Sequence, residues 1–365
     1  MTNGRFRTFD EFGSPPWNST LSASAQRAAV QSAFDSGEPL LMPNGETVLI
    51  DGPLNISNSL HLMGHGCDVT VGLSARSQFR CPVANTDMIR VLASNVVIEK
   101  LHLYADAMGG RGFVIGDGTV NASPYGTILT NVSTGANLSK GVEFLSGQKA
   151  CLTDCFLDSQ DAAISRNNLL GADQGDDRIR GGELNAFAPH GVCLLFRSGG
   201  GLIFEGGTKF LYGYNHIKGD WTKGGSGTLI VKGCSFENCQ GPISVDLDGN
   251  QPLIRVNFSG NNWGNSSIAF VVRNFQPNAW LRNLIISHNN IDIGAALPAM
   301  DIGSAAEVSI EGNVIDGGGV ATVGIVLRRP CEGSVGTNTI RNLSPSGQKI
   351  LNADGANVNV APFQG

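Results

Sequence analysis

Short runs of β-forming residues, each bounded by a small or amide residue, recur along most of the chain after residue 37. Apolar and polar residues alternate within these runs with the period of two that is typical of strands, and long helical periodicity is nearly absent. One residue of each run, which we call its punctuating residue, recurs at equivalent positions in successive runs, 23 to 31 residues apart. These residues are Leu101, Val132, Cys155, Gly182, Gly207, Cys234, Asn261, Asn289, Asn313 and Asn338. A period of about 25 residues predicts a β-solenoid with one coil per repeat.

The last four punctuating residues are all asparagines: Asn261, Asn289, Asn313 and Asn338. Stacked coils bring equivalent positions to within about 4.8 Å of each other. Asn tolerates the left-handed backbone of tight turns, and stacked amides hydrogen-bond along a column. The spacing therefore predicts a ladder of amide side chains. A leucine-rich repeat is excluded because its LxxLxLxxN pattern does not recur.

One helix is predicted near the start of the chain, over residues 22–36, with Ser22 or Ser24 as N-cap and Gly37 after its end. Its apolar stripe comprises Ala25, Ala29, Val30, Ala33 and Phe34. Such a helix can close the open end of a solenoid core. The predicted organisation is an arm (1–19), a capping helix (20–37), a β-helix domain (38–350) and a C-terminal cap or interchain strand (351–365).

Composition argues against nucleic acid and a membrane as partners. The net charge of -6 and the 15% of charged residues leave no basic footprint for nucleic acid. No run approaches the length of apolar residues that a membrane helix needs, and the first residues lack the apolar region of a signal peptide. The eight cysteines form no CxxC pair, so we expect reduced thiols, no metal and no cofactor.

The helix, the segment LLMPNGETVLIDGPLNI (40–56) and the coils behind it resemble the right-handed parallel β-helix of the pectate-lyase superfamily. The branch that they resemble most is that of phage tailspikes and polysaccharide depolymerases. The resemblance implies an all-β solenoid of about 11 coils and a carbohydrate-active protein. It also implies a polysaccharide substrate, a homotrimer of parallel solenoids and a place in a virion tail or outside the cell.

Strand alternation places a group of polar residues on the outward face of three consecutive coils: His216, Lys218, Asp220, Ser244, Asp246, Asp248 and Arg273. Stacked carboxylates repel unless a cation or a proton compensates, and such pairing tends to raise one carboxyl pKa, as a general acid requires. We expect Asp246 and Asp248 to be the catalytic acid/base pair of a glycoside hydrolase, with Asp220 tuning or replacing one of them.

The spacing leaves the stereochemistry open. Asp246 and Asp248 are two residues apart on one strand, about 6.6 Å, which suits inversion, whereas Asp220 and Asp248 across coils suit the shorter separation of about 5 Å for retention. The predicted substrate-binding residues are His216, Lys218, Tyr214, Trp221, Arg273 and Glu237, with Tyr212 and Trp263 as further aromatic candidates.

Other interpretations of the same residues stay open. A polysaccharide lyase would use His216, Lys218, Tyr214 and Arg273 to abstract a proton from a uronate. A fructosyl transferase is a further enzymatic alternative. A non-catalytic adhesin would use the solenoid as a glycan-binding shaft. The polar group could also be a solvated face with local salt bridges, such as one between Lys218 and Asp246.

Overall fold

The computed structural model describes residues 5–12, 16–17, 20–66, 76–119, 123–167, 176–197, 200–221, 227–249, 255–266, 268–273 and 281–361. The chain divides into two compact units, Met1–Phe187 and Ala188–Gly365. Both units confirm the predicted parallel β-solenoid. Each coil contributes one strand to each of three parallel sheets, which we call sheets 1, 2 and 3 in the order in which a coil enters them.

The first unit contains five complete three-stranded coils. Its sheet 1 strands are Arg7–Thr8, Leu40–Leu41, His61–Met63, Val97–Glu99, Ile128–Thr130, Cys151–Thr153 and Asp177–Arg180. Its sheet 2 strands are Thr47–Leu49, Gln78–Cys81, His102–Ala105, Ser133–Thr134, Phe156–Ser159 and Glu183–Ala186. Its sheet 3 strands are Leu54–Ile56, Ile89–Val91, Arg111–Ile115, Lys140–Phe144 and Ala162–Arg166.

The second unit contains six complete coils. Its sheet 1 strands are Gly200–Glu205, Gly227–Lys232, Arg255–Ser259, Leu281–Arg282, Leu284–Ser287, Ala305–Glu311, Cys331–Val335 and Asn357–Val360. Its sheet 2 strands are Lys209–Tyr212, Ser235–Glu237, Asn262–Ser266, Asn290–Ile293, Val314–Asp316 and Thr339–Arg341. Its sheet 3 strands are Val192–Phe196, Asn215–Trp221, Ile243–Gly249, Ile268–Arg273, Met300–Ile302, Val323–Leu327 and Gln348–Asn352.

The chain termini add strands to these sheets. A short 3-10 helix, Phe9–Phe12, follows the strand Arg7–Thr8, so the predicted arm carries regular structure. At the other end, Asn357–Val360 pairs in parallel with Cys331–Val335 of the same chain. The segment predicted as a cap or an interchain strand thus supplies the last strand of sheet 1.

The predicted helix forms over Ala23–Asp35. The Ser22 hydroxyl accepts a hydrogen bond from the backbone N–H of Ala25 at 3.2 Å, and Gly37 takes the left-handed φ of +68° that ends the helix. Val30, Ala33 and Phe34 are buried as expected.

The buried face of the helix differs from the prediction at its first turn. Ala25 is exposed, and Gln26 is buried in its place. The Gln26 side chain accepts a hydrogen bond from the backbone N–H of Leu49 at 2.8 Å and donates one to the carbonyl of Leu21 at 2.9 Å. A polar residue is needed at position 26 because the backbone N–H of Leu49, at the end of sheet 2, would otherwise be left without a hydrogen-bond acceptor, which is costly for a buried group. Apolar periodicity alone does not reveal this requirement.

The asparagine ladder is confirmed. The Oδ1 atom of Asn289 accepts hydrogen bonds from the backbone N–H and from Nδ2 of Asn261, both at 2.9 Å. Asn313 holds Asn289 in the same way at 3.1 and 2.9 Å, and Asn338 holds Asn313 at 3.0 and 2.9 Å. All four side chains are buried. The ladder therefore satisfies the polar groups of one turn from coil to coil.

Apolar and aromatic side chains fill the interior of the second unit. The rings of Phe210, Phe236 and Trp263 stack in parallel, with centroid separations of 4.6 and 4.2 Å. Trp263 is only 2% exposed, so it is a core residue and not the outward aromatic that we considered for sugar stacking. Seven cysteines among the described residues are not joined in disulfides: Cys81, Cys151, Cys155, Cys193, Cys234, Cys239 and Cys331.

Candidate active site on sheet 3

The predicted polar residues come together on the outer face of sheet 3 in the second unit. The strands that carry them, Asn215–Trp221 and Ile243–Gly249, are seven residues long. Ile217, Val245 and Phe270 pair in register and are fully buried. Because neighbours on a strand point to opposite faces, the next residues in each strand lie on the outer face.

Asp246 forms the centre of this group. One of its carboxylate oxygens accepts a hydrogen bond from Lys218 Nζ at 3.2 Å and another from Arg273 Nη2 at 2.9 Å. The local salt bridge between Lys218 and Asp246 is therefore confirmed. The other oxygen, Oδ1, is buried and has no hydrogen-bond partner within the described part of the chain.

The expected accessibility of Asp246 is wrong. Its residue surface is only 2% exposed because Lys218 and Arg273 cover it. Period-two alternation assigns a side chain to a face of the sheet, but long side chains on neighbouring strands decide whether that face is open. In this conformation Asp246 cannot reach a saccharide, so a direct acid/base role does not fit it.

Asp220 and Asp248 form the accessible carboxyl pair. They are in register on neighbouring parallel strands, where equivalent atoms lie about 4.8 Å apart. Asp220 Oδ2 lies 3.5 Å from Arg197 Nε, and the Asp220 side chain is 34% exposed. Arg273 is the register partner of Asp248 on the other side. The two residues thus occupy adjoining backbone positions, with Arg197 beside Asp220 and Arg273 on the strand that follows Asp248.

The outward orientation predicted for His216 is wrong. The residue is 0% exposed, with Nδ1 2.8 Å from the Ser244 hydroxyl and Nε2 2.8 Å from the carbonyl oxygen of Glu237. His216 and Ile217 are both fully buried, as are Ser244 and Val245 one coil later. Two successive inward residues occur at the start of each strand, where alternation fails. His216 therefore has no surface with which to bind a substrate.

Burial lowers the pKa of His216 to about 4, below its ordinary value of 6.5. The unfolded chain therefore takes up this proton near pH 6.5, whereas the folded chain resists it down to pH 4. The contribution of His216 to stability is fully present above pH 6.5, and about 3 kcal/mol of it is lost as the pH is lowered from 6.5 to 4. We expect this acid sensitivity to be smaller in His216→Asn, as measured by urea unfolding across that pH range. The control is His288→Asn at an exposed position. If the free energy of unfolding depended equally on pH in the native protein and in both variants, His216 would not be the source of the acid sensitivity.

The remaining predicted residues do not all join this group. Tyr214 is half-buried and packs edge-to-face against His190, with ring centroids 4.9 Å apart. The side chain of Trp221 lies outside the described residues. Glu237 is exposed on the outer face of sheet 2, in a cavity of about 330 Å³ whose other lining residues are Ser235, Asn238, Asn262, Trp263, Gly264 and Asp292.

A second charged cluster, which sequence patterns missed, lies on sheet 3 of the first unit. Arg111 donates two hydrogen bonds to Asp87, at 2.7 and 2.6 Å, and one to Glu143 at 2.5 Å, while Lys140 binds the other oxygen of Glu143. Burial would raise the pKa of Glu143, but the hydrogen bonds from Arg111 and Lys140 outweigh it and lower the pKa. Because cations occupy both carboxylates, neither carboxyl group of this cluster is open for acid/base chemistry.

The described residues contain no group of three or more His, Cys, Asp or Glu side chains that could hold a metal ion. None of the helices formed by the described residues is long and apolar enough to cross a bilayer.

No family model matches this chain, and no curated protein matches it in sequence. Solved structures match its fold. The catalytic unit of a GH87 α-1,3-glucanase from Streptomyces thermodiastaticus strain HF3-3 has a TM-score of 0.64 at 15% identity, covering 99% of this chain and 69% of its own. The enzymatically active domain of bacteriophage CBA120 tailspike protein 2 has a TM-score of 0.62 at 13% identity, covering 98% and 52%.

A third similar structure is PfbA, a surface adhesin of Streptococcus pneumoniae, with a TM-score of 0.63 at 14% identity, covering 95% of this chain and 91% of PfbA. The predicted resemblance to tailspike β-helices is therefore confirmed as a likeness of fold. Since the three proteins are a glucanase, a tailspike and an adhesin, the fold alone does not assign a function.

Proposed function

We propose that this protein is a polysaccharide depolymerase that hydrolyses glycosidic bonds on the outer face of sheet 3 in the second unit. The observation that carries the proposal is the in-register pair Asp220 and Asp248, both partly exposed, with Arg197 beside Asp220 and Arg273 in register with Asp248 on the next strand. Like charges at adjoining positions of a sheet are destabilising. A pair of carboxyl groups flanking a glycosidic bond is the arrangement that most glycosidases use.

The separation favours retention of configuration. Neighbouring strands place the backbones of Asp220 and Asp248 about 4.8 Å apart, a spacing from which the two carboxyl groups can reach the 5–5.5 Å separation of retaining enzymes. In this mechanism Asp220, beside Arg197, is the nucleophile that attacks the anomeric carbon and forms a glycosyl ester. Asp248 protonates the departing glycosidic oxygen and then takes a proton from the water that hydrolyses the glycosyl–Asp220 ester. Asp248 thus regains in the second step the proton that it gives up in the first.

Asp246 is a positioning residue in this mechanism. It accepts hydrogen bonds from Lys218 and Arg273 on a single buried oxygen, which fixes two flexible cationic side chains beside the carboxyl pair. Their exposed portions would bind sugar hydroxyls or an acidic substituent. Tyr214 and Trp221 stay predictions as flanking aromatic residues for sugar rings.

Two similar structures support a carbohydrate-active role, since one is a glucanase and another is the enzymatically active domain of a tailspike. The tailspike and the adhesin among the similar structures support a location on a virion tail or outside the cell. A homotrimer is part of the same proposal. Light scattering coupled to gel filtration tests it, and a monomer at micromolar concentration would contradict it.

A digestion screen on bacterial surface and plant polysaccharides tests the activity. We expect at least one polymer to release reducing ends without ultraviolet absorbance from unsaturated uronates. Absorbance would instead favour a lyase, whose set of residues would have to omit the buried His216. Transfer products without net hydrolysis would favour a fructosyl transferase, and binding without cleavage would favour an adhesin.

A further inference from the structure

We infer that the cavity around Glu237, on the outer face of sheet 2 in the second unit, is a separate binding site for a neutral saccharide. Its lining residues are Ser235, Glu237, Asn238, Asn262, Trp263, Gly264 and Asp292, and its volume is about 330 Å³. That volume is in the range of small-molecule sites. The site lies on a different sheet from Asp220 and Asp248, and it does not depend on the proposed cleavage.

The cavity exists because a glycine interrupts a row of outward side chains. Glu237 is in register with Gly264 on the next strand. Trp263 is in register with Ile291 on the strand after that, so Gly264 and Asp292, which follow them, are neighbours. The row therefore runs glutamate, glycine, aspartate over three strands. The two acidic residues are about 9.6 Å apart at the backbone, twice the strand spacing. A side chain added at Gly264 would meet no atom within 4 Å at its Cβ, so the space between the acids is open.

A second row of polar residues borders the first. Ser235 and Asn262 are in register, and Asn262 is in register with Asn290, whose Nδ2 donates a hydrogen bond to Asn262 Oδ1 at 3.0 Å. The register shifts between Trp263 and Ser266, directly beside the cavity. Such an irregularity in pairing bends a strand and re-aims its side chains. The cavity thus has hydroxyl and amide groups on one side and the two carboxylates at its ends.

The chemistry of this lining fits a saccharide. Carboxylates accept hydrogen bonds from sugar hydroxyls, and amides both donate and accept them. The lining contains two acidic residues and no Lys, Arg or His. An anionic sugar such as a uronate would therefore meet like charges without compensation, whereas a neutral sugar would not. A metal ion is a poorer fit because the described residues contain no cluster of three ligating side chains.

The test fills the cavity without removing a polar group. Gly264→Phe places an aromatic side chain in the open space, at a backbone position with no left-handed φ. The control is Thr339→Phe, which adds the same ring at an exposed position on the outer face of the same sheet. Calorimetry and native mass spectrometry would measure affinity and stoichiometry with cellohexaose, laminarihexaose, maltohexaose and hexagalacturonate.

We expect the native protein to bind at least one of the three neutral hexasaccharides. We also expect Gly264→Phe to weaken that binding at least tenfold or to remove one bound ligand per chain, with Thr339→Phe unchanged. Binding of hexagalacturonate alone, binding of no hexasaccharide, or equal binding by Gly264→Phe and the native protein would overturn the inference. Cleavage assays on the same proteins keep the two proposals apart, since lost cleavage activity alone would concern only Asp220 and Asp248.

Discussion

Replacing Asp220 or Asp248 by asparagine lowers kcat/KM for polysaccharide hydrolysis by about 10²–10⁴-fold if the two carboxyl groups act as nucleophile and acid/base. An amide is nearly isosteric with a carboxyl group, but it neither transfers the proton nor forms the glycosyl ester efficiently. The measurement is the initial rate of reducing-end release from the best polymer of the screen. Thermal unfolding of each variant confirms that the loss is not one of folding.

A matched control is present on the same sheet. Asp301 lies on the outer face of sheet 3 and pairs with Arg328 through hydrogen bonds of 2.6 and 3.0 Å. Asp301→Asn makes the same chemical change beside an arginine, at a distance of two strands from Asp248. Activity of Asp301→Asn near that of the native protein is expected. An equal loss in all three variants would mean that the carboxyl pair has no special role.

A chemical rescue separates the two carboxyl groups. In Asp220→Ala, an added small anion such as azide can attack the anomeric carbon in place of the missing carboxylate, giving a glycosyl azide. Because Asp248 then still protonates the departing oxygen, we expect azide to restore part of the activity. In Asp248→Ala the nucleophile is present but the leaving oxygen is not protonated. Azide should therefore speed only the second step, the breakdown of the glycosyl–Asp220 ester. If azide restored the first step in Asp248→Ala and not in Asp220→Ala, Asp248 would be the nucleophile and Asp220 the acid/base.

Replacing Asn289 by alanine destabilises the second unit by about 4 kcal/mol, at a net value near 1 kcal/mol for each lost hydrogen bond. Its side chain makes four: two accepted from Asn261, one donated to Asn313 Oδ1 and one donated to the carbonyl of Phe258 at 3.1 Å. The partners left behind are buried and cannot be hydrated without opening the coil. Urea unfolding, followed by tryptophan fluorescence, measures the change.

The neighbouring residue provides the control for the ladder. Asn290 is exposed and donates a single side-chain hydrogen bond to Asn262. Asn290→Ala should therefore change the free energy of unfolding by less than about 1 kcal/mol. If Asn289→Ala were no more destabilising than Asn290→Ala, the amide ladder would not be a main source of cohesion between coils.

The features that sequence predicts best are those that repeat. The spacing of Asn261, Asn289, Asn313 and Asn338 predicts both the solenoid and the ladder, because stacking places equivalent residues in contact. The same logic brings Lys218 next to Asp246 and Asp220 next to Asp248. Register between coils is thus accessible from the sequence alone.

The features that sequence misses depend on local departures from repetition. His216 is buried because alternation fails at the start of its strand, and Asp246 is buried because Lys218 and Arg273 reach across it. The cavity beside Glu237 arises from a missing side chain at Gly264 and a register shift, neither of which leaves an apolar pattern. The sheet 2 cavity is therefore a candidate site that the repeat pattern does not reveal, in contrast to the pair Asp220 and Asp248.

The stereochemistry of the first product tests the account most directly. ¹H NMR in the first minutes of digestion shows the anomeric configuration of each new reducing end before mutarotation obscures it. In-register Asp220 and Asp248 predict that the new anomer has the same configuration as the bond that was cleaved. The opposite anomer would contradict the assignment of this pair, and the absence of any new reducing end on every polymer would contradict the proposed hydrolysis itself.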